Sequence, residues 1–189
     1  MSDTSPATPR AGGRIVIGLG NVYRGDDGVG PAVASAVEAT LSAGSGERSE
    51  EPMADVVVLD GIADPLDLLG RWDGAATAIV IDAARSGAPP GTVTVIDAHR
   101  DTARGRFPRV PGTVHPPTST HGVGLHSAIA LARSLGTAPD HIAIVVVEGE
   151  IFDHRDRLSP SVASAVGEAA ASVIRLLEVT AADPSPSDP

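Results

Sequence analysis

The sequence contains no cysteine, so disulfides and thiolate metal sites are both excluded, and any metal must be held by His, Asp, Glu or main-chain oxygen. Aromatic residues make up only 2% of the chain, with one Trp, one Tyr and two Phe. The core must therefore use small and β-branched side chains, which suit close contact of helix on sheet. No apolar run approaches the roughly 20 residues that a spanning helix needs. The polar opening "MSDTSPATPRAGG" also lacks the apolar centre of a secretory signal. A soluble cytoplasmic monomer without a membrane partner is expected. Positive charge is scarce as well: 14 Lys and Arg face 24 Asp and Glu, a formal net charge of -10. That sign repels phosphate and anionic headgroups, which excludes nucleic acid as a partner.

What is present is enough for one domain with its own core, since 42% of 189 residues are hydrophobic. Residues 14–179 are read as that domain. Tails at 1–13 and 180–189, rich in Pro, Ser, Asp and Gly, are expected to be disordered. Ser42 to Pro52, "SAGSGERSEEP", reads as a loop. Five short apolar runs have strand character: Arg14–Leu19, Asp55–Leu59, Ala78–Ile81, Thr92–Ile96 and His141–Val147. Runs this apolar suit strands covered on both faces. Between them Val29, Val33, Val37 and Leu41 recur at helical spacing, as do Leu125, Ile129, Ala132 and Leu135. A last helix begins with Ser159 as N-cap and Pro160 in the first helical position. "DAARSGAPPGTVTVID" is too short for a crossover helix, which implies a hairpin and an antiparallel fourth strand. The expected fold is a three-layer α/β/α sandwich, with about five mostly parallel strands and one reversed.

Ligand sites in such sheets lie beyond the carboxyl ends of the parallel strands. Those ends carry Asp26 and Asp27 after the first strand, Asp60 after the second, Asp82 after the third and Glu148 after the fifth. Asp97 ends the reversed strand and belongs on the opposite rim. His121, flanked by Gly122 and Gly124, precedes a helix. One imidazole with two carboxylates makes a nitrogen–oxygen donor set suited to a divalent transition metal. The plainer role for His121 is a capping or loop histidine. "GLGNVYRGDDGVG" starts like a dinucleotide fingerprint, but Tyr23 stands where the third glycine belongs. Asp26 and Asp27 would also repel a pyrophosphate at the helix start. One of the pair, Asp26, is expected to cap or shape the helix start, where a carboxylate is favoured. Trp72 is expected to anchor a short helix, or else to line a peptide groove. His115 is read as a loop residue and His126 as covering the helix end. Glu148 and Glu150 read as a solvated strand end, because charged groups are seldom buried.

"GLGNVYRGDDGVG", "VVVLDG", "IVIDAA", "STHGVGL" and "VVVEGEIF…LSPSVASAV" together resemble, in order, the hydrogenase maturation protease family. These endopeptidases process the large subunit of nickel–iron hydrogenases. The resemblance implies that Asp27, Asp82 and His121 contact a divalent ion and sense nickel already inserted in the precursor. Cleavage then removes the precursor's C-terminal extension. Asp60 matches a family position near the cleft, which makes Asp27, Asp82, His121 and Asp60 the candidate catalytic residues. Nickel is implied as part of the substrate rather than as a resident cofactor, and the nickel-loaded precursor is the implied partner. Two departures stand out: Asp27 occupies a position that is often Glu, and "DGIADP" replaces the usual D-G-G-T.

No H-E-x-x-H helix and no G-x-S-x-G elbow are present. Nickel-assisted amide hydrolysis remains, with the metal polarising the carbonyl or a water. A carboxylate acting as general base, Asp60 or an unligated Asp82, is equally compatible. Two alternatives differ in kind: a non-catalytic nickel-dependent chaperone of the precursor, and another endopeptidase of the spore germination type on the same fold.

Overall fold

The computed structural model describes residues 9–44, 53, 55–98 and 120–182. Five strands form one sheet: β1 (Gly13–Leu19), β2 (Val56–Ile62), β3 (Ala75–Ala84), β4 (Val93–Asp97) and β5 (His141–Glu148). The helices are α1 (Val29–Gly44), α2 (Leu68–Arg71), α3 (Thr120–Leu135) and α4 (Pro160–Ala182), with 3-10 turns at Gly25–Gly28 and Pro65–Asp67. Strand order is β2-β1-β3-β5-β4. All neighbours are parallel except β4, which runs antiparallel to β5.

Alternation along each strand sends side chains to two cores. On one face Val16, Ile79, Ile81, Val145 and Val147 pack against Val29, Val33 and Val37 of α1 and against Val162, Val173 and Leu177 of α4. On the other, Ile15, Ile17, Ala78, Val80, Ile142 and Ile144 meet Leu68 of α2, Trp72, and Leu125 and Ile129 of α3. This is the expected sandwich. Trp72 is fully buried and anchors α2, although its indole N–H has no hydrogen-bond partner among the described residues. Burying about 200 Å² of indole at about 25 cal/mol per Å² contributes roughly 5 kcal/mol. That exceeds the about 1–3 kcal/mol cost of the unmade hydrogen bond. Among the described residues, no helix is long and apolar enough to cross a membrane.

Three expectations change in detail. The fourth strand is reversed, but the β3–β4 connection is not a hairpin between neighbours, because β5 lies between the two strands. β5 is apolar on both faces and takes the covered inner position, whereas half-exposed β4 takes the edge. Gly13 already belongs to β1, and α4 runs through Ala182, beyond the expected boundary at Thr180. The expected loop from Ser42 begins inside α1, and its residues 45–52 lie outside the described residues, as do 1–8 and 183–189 of the two tails.

Candidate functional site

The loop leaving β1 folds back on itself. Gly20 has φ +124°, and a Cβ there would lie 1.8 Å from the Asp27 carbonyl oxygen, so no side chain fits. Asn21 closes the turn twice: its side-chain Oδ1 accepts from Tyr23 N–H at 2.9 Å, and its own N–H donates to Asp27 Oδ2 at 3.0 Å. Asp27 is thereby held against the start of its own loop, 7% exposed.

Asp82 lies one residue beyond the last β1–β3 pair, Gly18 with Ile81, and sits beside Val146 of β5. It is 4% exposed, and its Oδ1 accepts from Ala83 N–H at 2.9 Å. Alternation with Ala78 and Val80 places it on the α3 face of the sheet. Because α3 leads into β5, which is parallel to β3, α3 begins at the rim where Asp82 stands. His121 lies in that first turn, and Gly124 packs on Pro65, where a Cβ would approach Cγ to 3.1 Å. Asp82 and the backbone of His121 thus share one face and one rim, while the imidazole lies outside what the structure describes. Among the described side chains, no group of three or more His, Cys, Asp or Glu stands ready to hold a metal. Ser119 and His115 also lie outside the described residues, and His126 is exposed on α3.

Asp60 is placed elsewhere. Val56 and Val58 pack on the α1 side, and Asp60 follows them there, at a register shift where β2 carries an extra residue. It borders a surface groove of about 250 Å³ with Pro31, Ala32 and Ser35 of α1, and with Val22 and Leu158. The sheet separates it from Asp82.

Asp26 does not cap its own helix turn, which has no side-chain cap. Its carboxylate is fully buried and accepts three main-chain N–H groups from the loop after β5: Glu150 and Ile151, each at 2.9 Å, and Ser159 at 2.6 Å. Burial alone would raise its pKa. The backbone donors from Ser159, Ile151 and Glu150 outweigh burial and hold it below the ordinary aspartate value. The Ser159 hydroxyl, buried without a well-formed hydrogen bond, adds a smaller contribution in the same direction. Ser159 is therefore the residue before α4, as expected, but its main chain makes the contacts.

Glu148 is not a solvated strand end. It is 4% exposed; Oε1 accepts Ser86 N–H at 2.6 Å and Gly87 N–H at 2.8 Å, and Oε2 accepts the Ser86 hydroxyl at 2.7 Å. The signal was a carboxylate directly after a run of apolar residues in a strand covered on both faces, where only a hydrogen-bonded charge is tolerated. Asp97, paired with Ala143 near the start of β5, lies on the opposite rim as expected. Arg85 went unremarked in the sequence. Its Nη2 donates to the Glu150 carbonyl at 2.5 Å, and its guanidinium lies 4.9 Å from the Phe152 ring centre.

A family model described as hydrogenase maturation protease (HycI) matches residues 45–176. A hydrogenase expression/formation protein, HupD, of Thiocapsa roseopersicina is 30% identical over 149 residues, 78% of this chain and 60% of that protein. The chain thus spans about 60% of that relative's length. The hydrogenase 2 maturation protease of Escherichia coli is 25% identical over 92% of this chain and 96% of its own. The solved structure of the hydrogenase maturating endopeptidase HybD from E. coli shares the fold, with a TM-score of 0.68 and 24% identity over 88% of this chain and 93% of that chain. With the family model spanning well over half of its length, the chain belongs to the hydrogenase maturation protease family.

Proposed function

We propose that the protein is an endopeptidase that removes the C-terminal extension of a nickel–iron hydrogenase large-subunit precursor after nickel insertion. Family membership supports the reaction class. The observation that carries the site is the pair of buried aspartates, Asp27 and Asp82, on the loop and strand end that leave adjacent parallel strands. Carboxylate oxygens with an imidazole nitrogen from His121 form a donor set that suits nickel. Nickel enters as part of the substrate. Asp27, Asp82 and His121 hold the metal-bearing end of the precursor and orient its tail. In the alternative carboxylate arm, with the metal left to Asp27 and His121, an unligated Asp82 takes a proton from water as the water oxygen bonds to the scissile carbonyl carbon. The C–N bond then breaks, and the proton passes to the departing amine. Asp60, across the sheet, is left to the groove beside α1. In this reading the chain acts in the cytoplasm as a monomer.

The test is incubation of the purified protein with nickel-loaded and nickel-free precursor, followed by mass spectrometry. Loss of the extension from the loaded form alone is expected. Cleavage of both forms removes the nickel-sensing role, and binding without mass loss points to a chaperone.

A further inference from the structure

The "EGEI" segment, Glu148 to Ile151, has no part in the chemistry above, yet it touches both loops that carry the candidate aspartates. On one side Asp26, the residue before Asp27, accepts Glu150 and Ile151 N–H, and its own N–H donates to the Ile151 carbonyl at 2.8 Å. On the other side Gly149 N–H donates to the Ala84 carbonyl at 2.8 Å, two residues past Asp82. Glu148 gathers Ser86 and Gly87 N–H just beyond it. The crossing is close at Gly149, where a Cβ would stand 2.7 Å from Phe152 Cζ and 3.0 Å from Asp26 Cβ.

We infer that Glu148–Ile151 is a strut fixing Asp27 relative to Asp82, with Asp26 and Glu148 as its two positioning residues. Each positioning carboxylate is almost wholly buried and accepts three hydrogen bonds. At Asp26 an amide would turn its NH₂ toward the Ser159 N–H, donor against donor, whereas at Glu148 the Ser86 hydroxyl can accept from an amide, so only removal of that carboxylate releases the Ser86 and Gly87 N–H groups. The two adjacent acids at 26 and 27 divide the work: one grips the strut and the other faces the site. The catalytic consequence rests on the proposed endopeptidase reading, because misplacing a reacting group by about 1 Å costs on the order of 10²-fold in rate.

The test is native-state hydrogen exchange on wild type, Asp26→Asn, Glu148→Ala and Arg85→Ala, with precursor cleavage measured in parallel. Asp26→Asn is expected to speed exchange about tenfold at Ser86 and Gly87, which it does not touch. Glu148→Ala is expected to do the same at Glu150 and Ile151. In cleavage, kcat falls by about 10- to 100-fold while KM stays within about threefold. Arg85 is exposed, so its alanine variant keeps the fold. That variant shows the same pattern at about threefold and decides the matter if Asp26→Asn does not fold. Faster exchange confined to each variant's own loop, or unchanged kcat in folded variants, overturns the strut. If wild type does not cleave at all, the endopeptidase reading falls while the exchange arm still decides the strut.

Discussion

Asp60 and Asp82 stand at the same rim of the sheet but on opposite faces. Asp82 follows Ala78 and Val80 toward α3, and Asp60 follows Val56 and Val58 toward α1. Both come at the ends of apolar strands, so in sequence they look equivalent. One residue of phase in a period of two separates a group buried on the α3 side from one exposed beside α1.

Asp82→Asn is therefore expected to lower precursor cleavage by about 10²-fold or more, the usual scale for a lost acid–base or ligand group. Asp60→Asn should leave kcat within about threefold of wild type. Single-turnover cleavage assays check both. Equal losses would place Asp60 back in the chemistry.

Asp26 gives the stability curve an acid limb. Its folded pKa lies below the ordinary 3.8, with burial opposing and three backbone donors prevailing. A depressed carboxylate contributes stability that is fully present above its unfolded value and is lost as pH falls through the folded one. Asp26→Asn should cost about 3 kcal/mol near neutral pH. The gap to wild type should then narrow once the pH drops below about 4. Urea unfolding between pH 3 and 7 checks this, and a gap that is constant throughout would refute the assignment.

The sheet was legible because uniformly apolar runs and helical spacing follow directly from burial on two faces. The reversed strand was legible from its short connection, but its neighbour was not. Loop length limits how far a chain travels, whereas the choice between β3 and β5 as partner depends on which strand is more completely covered. Asp27 and Asp82 stood out as carboxylates directly after apolar strands. Glu148 stood in the same pattern and was misjudged, because its compensating donors, Ser86 and Gly87, lie 62 and 61 residues away. Asp26 likewise reaches donors 124 to 133 residues away. Short-range capping rules, which made it a helix-start residue, do not reach that far.

Arg14 illustrates a contact hidden in the same way. It is 5% exposed at the start of β1, donates Nη1–H to the Leu177 carbonyl at 2.7 Å, and pairs with Asp55. The Arg14 hydrogen bond, against some burial, holds the Asp55 pKa below its ordinary value. Arg14→Met keeps the stem but removes the short bond to the Leu177 carbonyl, which retains the longer one from the Thr180 hydroxyl at 3.2 Å, and takes the guanidinium away from Asp55. It should cost about 2 kcal/mol, or roughly 4–8 °C in Tm for a chain of this size. Thermal unfolding at pH 7 measures it. Since Asp55 also regains its ordinary affinity for protons, the variant should lose less stability than wild type on going to pH 3.

Gly20 and Gly61 both have positive φ, +124° and +71°, but only Gly20 is crowded. At Gly61 nothing lies within 4 Å of an added Cβ, so Gly61→Ala meets backbone strain alone, about 1 kcal/mol. At Gly20 the added carbon would occupy the place of the Asp27 carbonyl, and backbone cannot yield as a flexible side chain does. Gly20→Ala should cost about 3 kcal/mol or more, and should move Asp27 off its hydrogen bond with Asn21. Stability and cleavage should therefore fall together in Gly20→Ala, whereas Gly61→Ala loses a little stability and keeps its kcat. Chemical unfolding and precursor cleavage on the same preparations separate the two. Full activity in a folded Gly20→Ala variant would show that Asp27 need not be held where this loop puts it.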